Sequence, residues 1–504
     1  MKAPVPRRSV LAGFVLLSFL SLTPFLAAQK FVDLSWNPDN GQISGYNIYR
    51  ADVSGGPYTR LNASLDPGPS YTDMAVQSSH TYYYVTTAVN AQGQESGYSN
   101  ETQASLPGHE GGGREQLLYV FGQQGEQGPA LPEAGLTFDK AGNLYGTSKS
   151  GGASNQGTVF QLAMGANGWI ETVLYSFSGG ADGGQPVAEV AIDAAGNLYG
   201  TTSAGGGGPC NGGCGTVFEL TPSSGNWTET ALYTFSGSSD GSQPFAGLVM
   251  DASGNLYGTT ESGGTTGPNC SAGCGVVFEL TQESGSWTQS VLYSFAGGND
   301  GASPYDALTF DAKGNLYGTT YSGGSYDKGT VFEVSNSANG WTEIVLRAFT
   351  GAGDGSSPIG GLVFDATGNL YGTTFQGGAH GYGSVFKLLP NPSGGWQERV
   401  LHSFGNAPAA NPTATMIFDA NGNLYGTTLG GATLTSCPGG CGTLFELMPK
   451  PDGGWTFGSR HVFGRGEDGY RPSGRLIMDA TGKFYGTTQA GGAQNAGTVY
   501  QIAP

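Results

Sequence analysis

Positively charged residues are scarce in this chain. Its 504 residues include 20 Lys and Arg against 38 Asp and Glu, which gives a formal net charge of -18 at pH 7. No run of basic residues occurs. Because binding to nucleic-acid phosphates or to anionic membranes requires clustered Lys and Arg, we expect no nucleic-acid partner. The negative net charge does not exclude binding of cationic or neutral partners.

Three further features are missing. After the N-terminal segment no stretch is apolar enough to span a membrane, and apolar residues nowhere follow the 3.6-residue period of a helix. The chain also lacks a nucleophile elbow, an HExxH sequence and the tryptophan docking motif of quinoproteins. These absences predict an all-β protein with no membrane span in the mature chain, and they favour a protein that is not an enzyme.

The first 28 residues have the layout of a secretory signal peptide. Lys2, Arg7 and Arg8 precede an apolar run that ends in the small residues Ala27 and Ala28. We predict cleavage near Ala28, which removes three positive charges and changes the net charge from -18 to about -21. The alternatives are an uncleaved anchor and, for the export route, the twin-arginine pathway. The expected location is outside the cell, in the periplasm or in the envelope.

Residues 30–107 contain short alternating segments that are separated by Pro, Gly, Asn and Asp. This pattern predicts an antiparallel β-sandwich. The stretch resembles a fibronectin type III domain, since Trp36 matches the core tryptophan and TYYYVTTAVNAQGQES matches the penultimate strand, with Tyr82 as the tyrosine-corner residue. The resemblance implies a spacer or adhesion module. Residues 108–113 are rich in glycine and are predicted to be a linker.

The motif AGNLYGTT at 195–202 has six close copies, at intervals of 54 to 60 residues, which begin at Ala141, Ser253, Lys313, Thr367, Asn421 and Thr481. Each repeat contains four strand-like segments, which in the second repeat read AEVAIDA, NLYGTT, GTVFEL and WTETALYTF. Four short antiparallel strands per repeat are typical of a propeller blade. Residues 114–504 are therefore predicted to form a seven-bladed β-propeller.

The two ends of the repeat region are offset. It begins with EQLLYVF at 115–121, which matches the fourth strand of the other repeats, and it ends with GTVYQIAP, which matches the third. We expect residues 115–121 to complete the seventh blade and to close the ring. The motif AGNLYGTT itself is predicted to pack: Asp193 and Gly196 suit a hairpin, and Gly200 leaves room for an aromatic ring.

The segments GNLYGTT, GTVFEL and VLYSF, with the glycine-rich stretch between the first two, resemble the GloVer tandem repeat of bacterial exported proteins of the choice-of-anchor type. The resemblance covers all seven repeats and implies no particular activity. The sequence ends at Pro504 without a terminal sorting segment, which argues against attachment to the cell surface.

In a propeller, the loop between the second and third strands and the loop to the next blade lie on the same face. The blade-to-blade loops carry a set of acidic residues at Asp182, Asp240, Asp300, Asp354 and Asp468. They are interpreted either as Asp-Gly turns or as a ring that binds a sugar or a cation, most plausibly Ca²⁺. We expect no other cofactor.

Six cysteines form three close pairs in the loops between second and third strands: Cys210 with Cys214, Cys270 with Cys274, and Cys437 with Cys441. An even count in an exported chain predicts local disulfides. A zinc site would need four converging ligands, and these loops have no nearby His, so the sequence predicts no metal site.

Departures from the repeat are the remaining candidate ligand-binding residues. Tyr326, Asp327 and Lys328 lie in one loop, and His380 and Tyr382 lie in the equivalent loop of the next repeat. Drift on exposed loops is the competing interpretation. The sequence thus predicts an exported binding or adhesion protein that recognises a glycan or a protein at the loop face. The alternatives are a propeller polysaccharide lyase or glycoside hydrolase, and a purely structural envelope protein.

Overall fold

The computed structural model describes residues 10–11, 32–36, 43–73, 81–105, 115–122, 128–166, 168–434, 437, 439–465, 468–492 and 494–503. These residues form β-strands, turns and loops, and none of them is helical. No described segment could therefore cross a lipid bilayer as a helix. The predicted linker and most of the predicted signal peptide lie outside the described residues. The chain divides into two compact units, Met1–Glu110 and Gly111–Pro504.

The first unit contains two antiparallel sheets that share one core. The sheets have the strand orders β1-β2-β5 and β4-β3-β6-β7. Leu34 and Trp36 of the first sheet pack with Tyr46, Ile48 and Tyr84 of the second sheet. The strands are β1 (Val10–Leu11), β2 (Val32–Trp36), β3 (Ile43–Ala51), β4 (Thr59–Arg60), β5 (Ser70–Asp73), β6 (Thr81–Asn90) and β7 (Thr102–Ser105).

The second unit begins with β8 (Glu115–Val120) and then builds one small antiparallel sheet from each repeat. In the first repeat, β9 (Pro129–Ala130) and β12 (Ser150–Gly151) pair with each other in a separate two-stranded sheet. Sheets 1 to 3 contain β10 (Thr137–Phe138), β11 (Leu144–Ser148), β13 (Thr158–Gly165) and β14 (Gly168–Ser176); β15 (Ala191–Ile192), β16 (Leu198–Thr202), β17 (Thr216–Ser223) and β18 (Asn226–Thr234); β19 (Val249–Met250), β20 (Leu256–Thr260), β21 (Val276–Glu283) and β22 (Ser286–Ser294).

Sheets 4 to 7 follow the same order. They contain β23 (Ala302–Pro304), β24 (Thr309–Phe310), β25 (Leu316–Ser322), β26 (Thr330–Ser337) and β27 (Gly340–Ala348); β28 (Val363–Phe364), β29 (Leu370–Thr374), β30 (Ser384–Pro390) and β31 (Trp396–Ser403); β32 (Ala410–Pro412), β33 (Ile417–Phe418), β34 (Leu424–Gly430), β35 (Thr443–Pro449) and β36 (Trp455–Val462); β37 (Gly469–Pro472), β38 (Ile477–Met478), β39 (Phe484–Gly491) and β40 (Thr498–Ile502).

The first strand of the second unit completes its last sheet. β8 pairs antiparallel with β40, in a register that runs from Glu115 opposite Ile502 to Val120 opposite Thr498. Sheet 7 therefore has the order β37-β39-β40-β8, with β38 paired to β39. The expectation that residues 115–121 supply the missing fourth strand is met for the described strand.

Each sheet shares a buried cluster with the next sheet. Tyr145 and Phe177 of sheet 1 pack with Leu198 and Phe218 of sheet 2, for example. Equivalent clusters join sheets 2 through 7 in order. A seventh cluster places Tyr485 and Val499 of sheet 7 against residues of sheet 1. The order of packing thus returns to its starting point, because sheet 7 contacts both sheet 6 and sheet 1.

The AGNLYGTT motif forms the inner hairpin of each sheet. In sheet 2 the Oδ1 atom of Asp193 accepts hydrogen bonds from the backbone N–H groups of Ala195 and Asn197, at 2.9 and 2.8 Å. A Cβ atom on Gly200 would lie 2.5 Å from Cζ of Phe218, so a larger residue would displace this buried ring. The motif has the packing role that its sequence indicates.

Candidate binding site

The site is built on a backbone feature that all seven repeats share. Each loop that enters a sheet ends in a residue with positive φ followed by proline, as at Gln185 (φ 54) and Pro186. The N–H of Gln185 donates to the carbonyl of Gln156 in the preceding sheet's loop, at 2.7 Å, and Leu131 donates in the same way to Ala496 of sheet 7, at 2.9 Å. This constraint fixes the direction in which the chain leaves the proline.

The residue after that proline, here called the rim position, differs in every sheet. The seven rim residues are Glu133, Val187, Phe245, Tyr305, Ile359, Thr413 and Ser473. All seven line one cavity of about 250 Å³, together with one or both of the residues that follow them in every sheet except sheet 5. Because each sheet contributes to its wall, the cavity lies where the seven sheets converge.

Aromatic and acidic side chains dominate one side of this cavity. The rings of Phe245 and Tyr305 stack with centroids 5.2 Å apart and an interplanar angle of 7°. Tyr305 is still 36% exposed. Burial, helped by the nearby charges of Glu261 and Glu133, raises the pKa of the Tyr305 hydroxyl to about 12, so it stays protonated and can donate a hydrogen bond at any physiological pH. Lys149 lies 3.4 Å from Glu133.

Three ionisable side chains also line the cavity, at positions where other sheets have small residues. Glu189 lies against Gly247, and burial and the charge of Asp306 raise its pKa, while Arg475 opposes that shift. Asp306 accepts hydrogen bonds from the N–H of Gly361 and from Thr415 Oγ1, which lies 2.8 Å away. The cavity wall therefore carries two carboxyl groups and one guanidinium group.

The five loop aspartates do not line this cavity. Each accepts bonds from its own loop: Asp240 Oδ2, for example, accepts from the Ser236 N–H at 2.8 Å and from the Tyr233 hydroxyl at 3.0 Å. Burial alone would raise the pKa of Asp240, but hydrogen bonds from Ser236 and Tyr233 hold it below its usual value. This geometry favours the turn interpretation over a cation ring. The equivalent acceptor bonds are made by Asp182, Asp300, Asp354 and Asp468.

We therefore expect millimolar Ca²⁺ to leave the melting temperature unchanged. In contrast, Asp240→Ala should lower it by roughly 2–4 °C, because the variant leaves the donors of its loop without an acceptor. Thermal unfolding followed by fluorescence measures both effects. A clear Ca²⁺-dependent stabilisation that Asp240→Ala removes would contradict the turn assignment and support the cation ring.

Four of these aspartates, Asp182, Asp300, Asp354 and Asp468, also face a glutamate of the next sheet. Glu229 of sheet 2 lies beside Asp182, and Glu343 of sheet 4 lies beside Asp300. Burial and the neighbouring aspartate raise the pKa of each glutamate to about 7. At the junction of sheets 5 and 6 the loop aspartate is missing, and Phe457 occupies the position of the glutamate. The Phe457 ring stacks on the His402 ring, with the two ring centroids 4.3 Å apart. Asp240 also lacks a glutamate partner, because Gln289 occupies the glutamate position in sheet 3.

The other predicted ligand residues lie outside the cavity. Asp327 has φ 54 and accepts a bond from the Gly323 N–H at 3.0 Å, as Asn155 and Asn495 do for their own loops. Tyr326 is 60% exposed, and the Lys328 side chain packs against Gly351. In the next loop Tyr382 is partly exposed, and His380 lies near His402, whose pKa is lowered by burial and by that histidine. No hydrogen bond or ion pair among the described residues joins the two groups.

The three cysteine pairs are disulfide-bonded, with Cα atoms 5.1 to 5.2 Å apart. A Cβ atom on Gly237 would touch both sulfurs of the Cys210–Cys214 pair, so this disulfide covers the loop to the next sheet. Gln156 covers the equivalent glycine in a sheet without cysteines. The disulfides therefore replace a packing contact that other repeats make with ordinary side chains.

Sequence reasoning missed the rim residues because it looked for departures only within the glycine-rich loops. A signal was present: when the repeats are aligned on the loop, the proline is the same in all seven and the residue after it is different in all seven. A position that varies from repeat to repeat, directly after a proline that does not vary, is typical of a binding surface carried by a constant backbone.

The geometry defines an all-β repeat protein whose seven small sheets present a variable central cavity. The chain belongs to the Gloeobacter/Verrucomicrobia repeat family, whose model matches residues 71–269 and 264–500. This match confirms the resemblance that the repeats indicate.

Several curated proteins are similar to a short segment of the chain. The chain is 42% identical over 73 residues to an amylopullulanase of Thermoanaerobacter thermohydrosulfuricus, which is 14% of this chain and 5% of that protein. It is 38% identical over 78 residues, 15% of this chain and 5% of the relative, to an alpha-amylase of Niallia circulans. A solved Fn3-like protein from Clostridium thermocellum is 34% identical, with a TM-score of 0.15 and coverage of 16% of this chain and 81% of that chain. The chain thus spans about a twentieth of the curated relatives it matches.

Proposed function

We propose that the second unit is a seven-bladed β-propeller and that the protein is an exported, non-catalytic carbohydrate-binding protein. The observation that carries the binding role is the stacked pair Phe245 and Tyr305 in a central cavity with seven different rim residues. The propeller assignment is supported by the shared clusters that run from sheet 1 to sheet 7 and back to sheet 1. The disulfides are consistent with an oxidising location, and export by the N-terminal segment belongs to the proposal.

A neutral sugar suits this cavity chemically. The apolar face of a sugar ring packs on an aromatic ring, and its hydroxyl groups bond to carboxylate and phenolic oxygens. Tyr305 offers both an exposed ring face and a protonated hydroxyl, and Glu133 and Lys149 offer an acceptor and a donor beside it. The short matches to an amylopullulanase and an alpha-amylase, which are enzymes of polysaccharides by name, agree with this ligand class.

A hydrolase or lyase is the second candidate, and the two carboxyl groups of Glu189 and Asp306 in the cavity wall favour it. However, Asp306 already accepts bonds from Ala307, Gly361 and Thr415, which suits a structural role. A binding role therefore explains more of the residues that line the cavity than a catalytic role does. Release of reducing ends from a bound polysaccharide, with loss of that release in Glu189→Gln, would select the enzymatic alternative instead.

We expect Tyr305→Ala to weaken glycan binding by at least about tenfold, because it removes one face of the stacked pair and a hydroxyl donor. Affinity electrophoresis in gels that contain neutral bacterial and plant polysaccharides measures the effect. Tyr326→Ala is the matched control, since Tyr326 is exposed but lies outside the cavity lining, and it should bind as the unchanged protein does. Equal retardation of the unchanged protein and Tyr305→Ala, or no retardation in any gel, would contradict the proposal.

A further inference from the structure

The junction between sheets 6 and 7 differs from the other junctions by a histidine set between two carboxyl groups. Its Nε2 atom lies 2.5 Å from Glu115 Oε2 and 3.7 Å from Asp468 Oδ2. One ligand atom of each of these three residues lies within 4.8 Å of the others, which is close enough for one metal ion to contact all three. Among the described residues, these three form the only such group of His, Cys, Asp or Glu.

Two side chains of this cluster, Glu115 and His461, are largely buried. The Glu115 side chain is 5% exposed, and its Oε1 atom has no hydrogen-bond partner. Its Oε2 atom and the buried Nε2 atom of His461 contact each other as an ion pair. Carboxylate and imidazole groups that leave water normally gain hydrogen bonds or a cation in return. Asp468, which is 22% exposed, gives the cluster an opening to solvent.

We propose that Glu115, His461 and Asp468 bind one divalent transition-metal ion, best matched by Zn²⁺. One imidazole nitrogen and two carboxylate oxygens suit zinc, whose ligands lie about 2.0–2.2 Å from the metal, with a fourth position left for water. Two ligands of a tetrahedral ion are then about 3.4 Å apart. The separation of His461 from Asp468 is near this value, and Glu115 needs to move outward by about 1 Å.

The same positions at other junctions lack this combination. Tyr175, Tyr233 and Tyr293 replace the histidine in the first three sheets, and Arg347 replaces it in sheet 4. His402 is the equivalent histidine of sheet 5, but its neighbour is Phe457 and its loop has no aspartate. The imidazole of His461 is also held in place by Phe463, at 4.7 Å between ring centroids. The cluster is therefore specific to the junction at which β8 joins the last sheet.

The proposed metal site lies between two sheets, so a bound ion would stabilise the contact between them. Glu115 begins β8, which pairs with the C-terminal strand β40, whereas His461 and Asp468 belong to sheet 6 and the loop after it. An ion at this site joins the first strand of the second unit to sheet 6. The metal would therefore stabilise the attachment of β8, and its removal would loosen that strand first.

The experiment compares thermal unfolding of the full chain with EDTA and with a tenfold excess of ZnCl₂ near neutral pH, since metal ligands bind in their deprotonated forms. We expect Zn²⁺ to raise the melting temperature by about 5 °C. His461→Tyr should lose this rise, and it should still fold because tyrosine occupies the position in other sheets. His402→Tyr is the matched control and should keep the rise. Titration calorimetry should give one ion per chain for the unchanged protein.

Two results would overturn the proposal. An unchanged melting temperature in Zn²⁺ would show that His461 forms only an ion pair with its two carboxylates. An equal rise in His461→Tyr would place the bound metal elsewhere on the chain. Asp468→Asn is a second test that leaves the buried residues in place, and it should reduce the affinity for Zn²⁺ by at least about tenfold.

Discussion

Deleting residues 115–121 should lower the melting temperature of the second unit by more than about 10 °C or prevent it from folding. The deleted segment contributes the buried Leu118 of β8 and Phe121 just after it, each worth about 1.5–3 kcal/mol. It also covers the edge of β40 along its whole length. Without β8 that edge is exposed, and the cluster shared by sheets 7 and 1 is opened. Differential scanning calorimetry of residues 111–504 and of residues 123–504 measures the effect.

The control removes the first unit instead. A chain that begins at Gly111 should melt within about 3 °C of the longer chain, because each unit has its own core. Similar melting temperatures for residues 111–504 and 123–504 would show that β8 is dispensable, and they would contradict the proposed closure.

Stability should fall as the pH rises from 5 to 8, by at least about 5 °C in melting temperature. The folded-state pKa of Glu229 and of Glu343 is about 7, above the usual value of 4.5. A carboxyl group with a raised pKa stabilises the folded state fully below its unfolded pKa, and this contribution is lost as the pH passes the folded pKa. Above pH 7 each glutamate faces the charge of Asp182 or Asp300 across the junction.

The effect reverses in acid. The pKa of the hairpin carboxyl groups of Asp139 and Asp311 lies below the usual value. Burial alone would raise this pKa, but the hydrogen bonds that the carboxylates accept within their own turns lower it by more. Stability that depends on these groups is present above their unfolded pKa and is lost as the pH falls through the folded pKa. Maximum stability is therefore expected between about pH 4.5 and pH 6.

Glutamine variants isolate the carboxyl pairs. Glu229→Gln and Glu343→Gln should each raise stability at pH 8 by about 2 kcal/mol and change it little at pH 5, because glutamine stays neutral. The chain already has Gln289 at the equivalent place in sheet 3. Glu283→Gln is the control: Glu283 is exposed at the end of β21, so this variant should show no such gain. A flat pH profile, or the same gain at both pH values, would contradict the paired-carboxyl assignment.

Much of the fold could be predicted from the repeat alone. Seven copies of AGNLYGTT mark seven small sheets, and the offset between EQLLYVF and GTVYQIAP identifies the strand that completes the last sheet. The local disulfides follow from cysteines four positions apart. These features depend on contacts between residues that are close in sequence or that recur in each repeat, and such contacts leave a regular pattern.

The candidate site could not be predicted in the same way. The partners Phe245 and Tyr305 come from different repeats, and only the packing of the sheets brings their rings together. The loop aspartates are conspicuous in the sequence, but their oxygens are engaged by Ser, Thr, Tyr and Arg groups nearby. The Glu115–His461 contact joins residues more than 300 positions apart, so no local pattern could indicate it.

A crystal structure of residues 111–504 with an oligosaccharide from the polysaccharide that binds best tests the central claim most directly. The account predicts seven sheets around one axis, with a sugar ring stacked against Tyr305 in the central cavity and a hydroxyl group bonded near Glu133. Sugar density beside Tyr326 or His380 in the outer loops, or an open arrangement in which sheet 7 does not contact sheet 1, would contradict it.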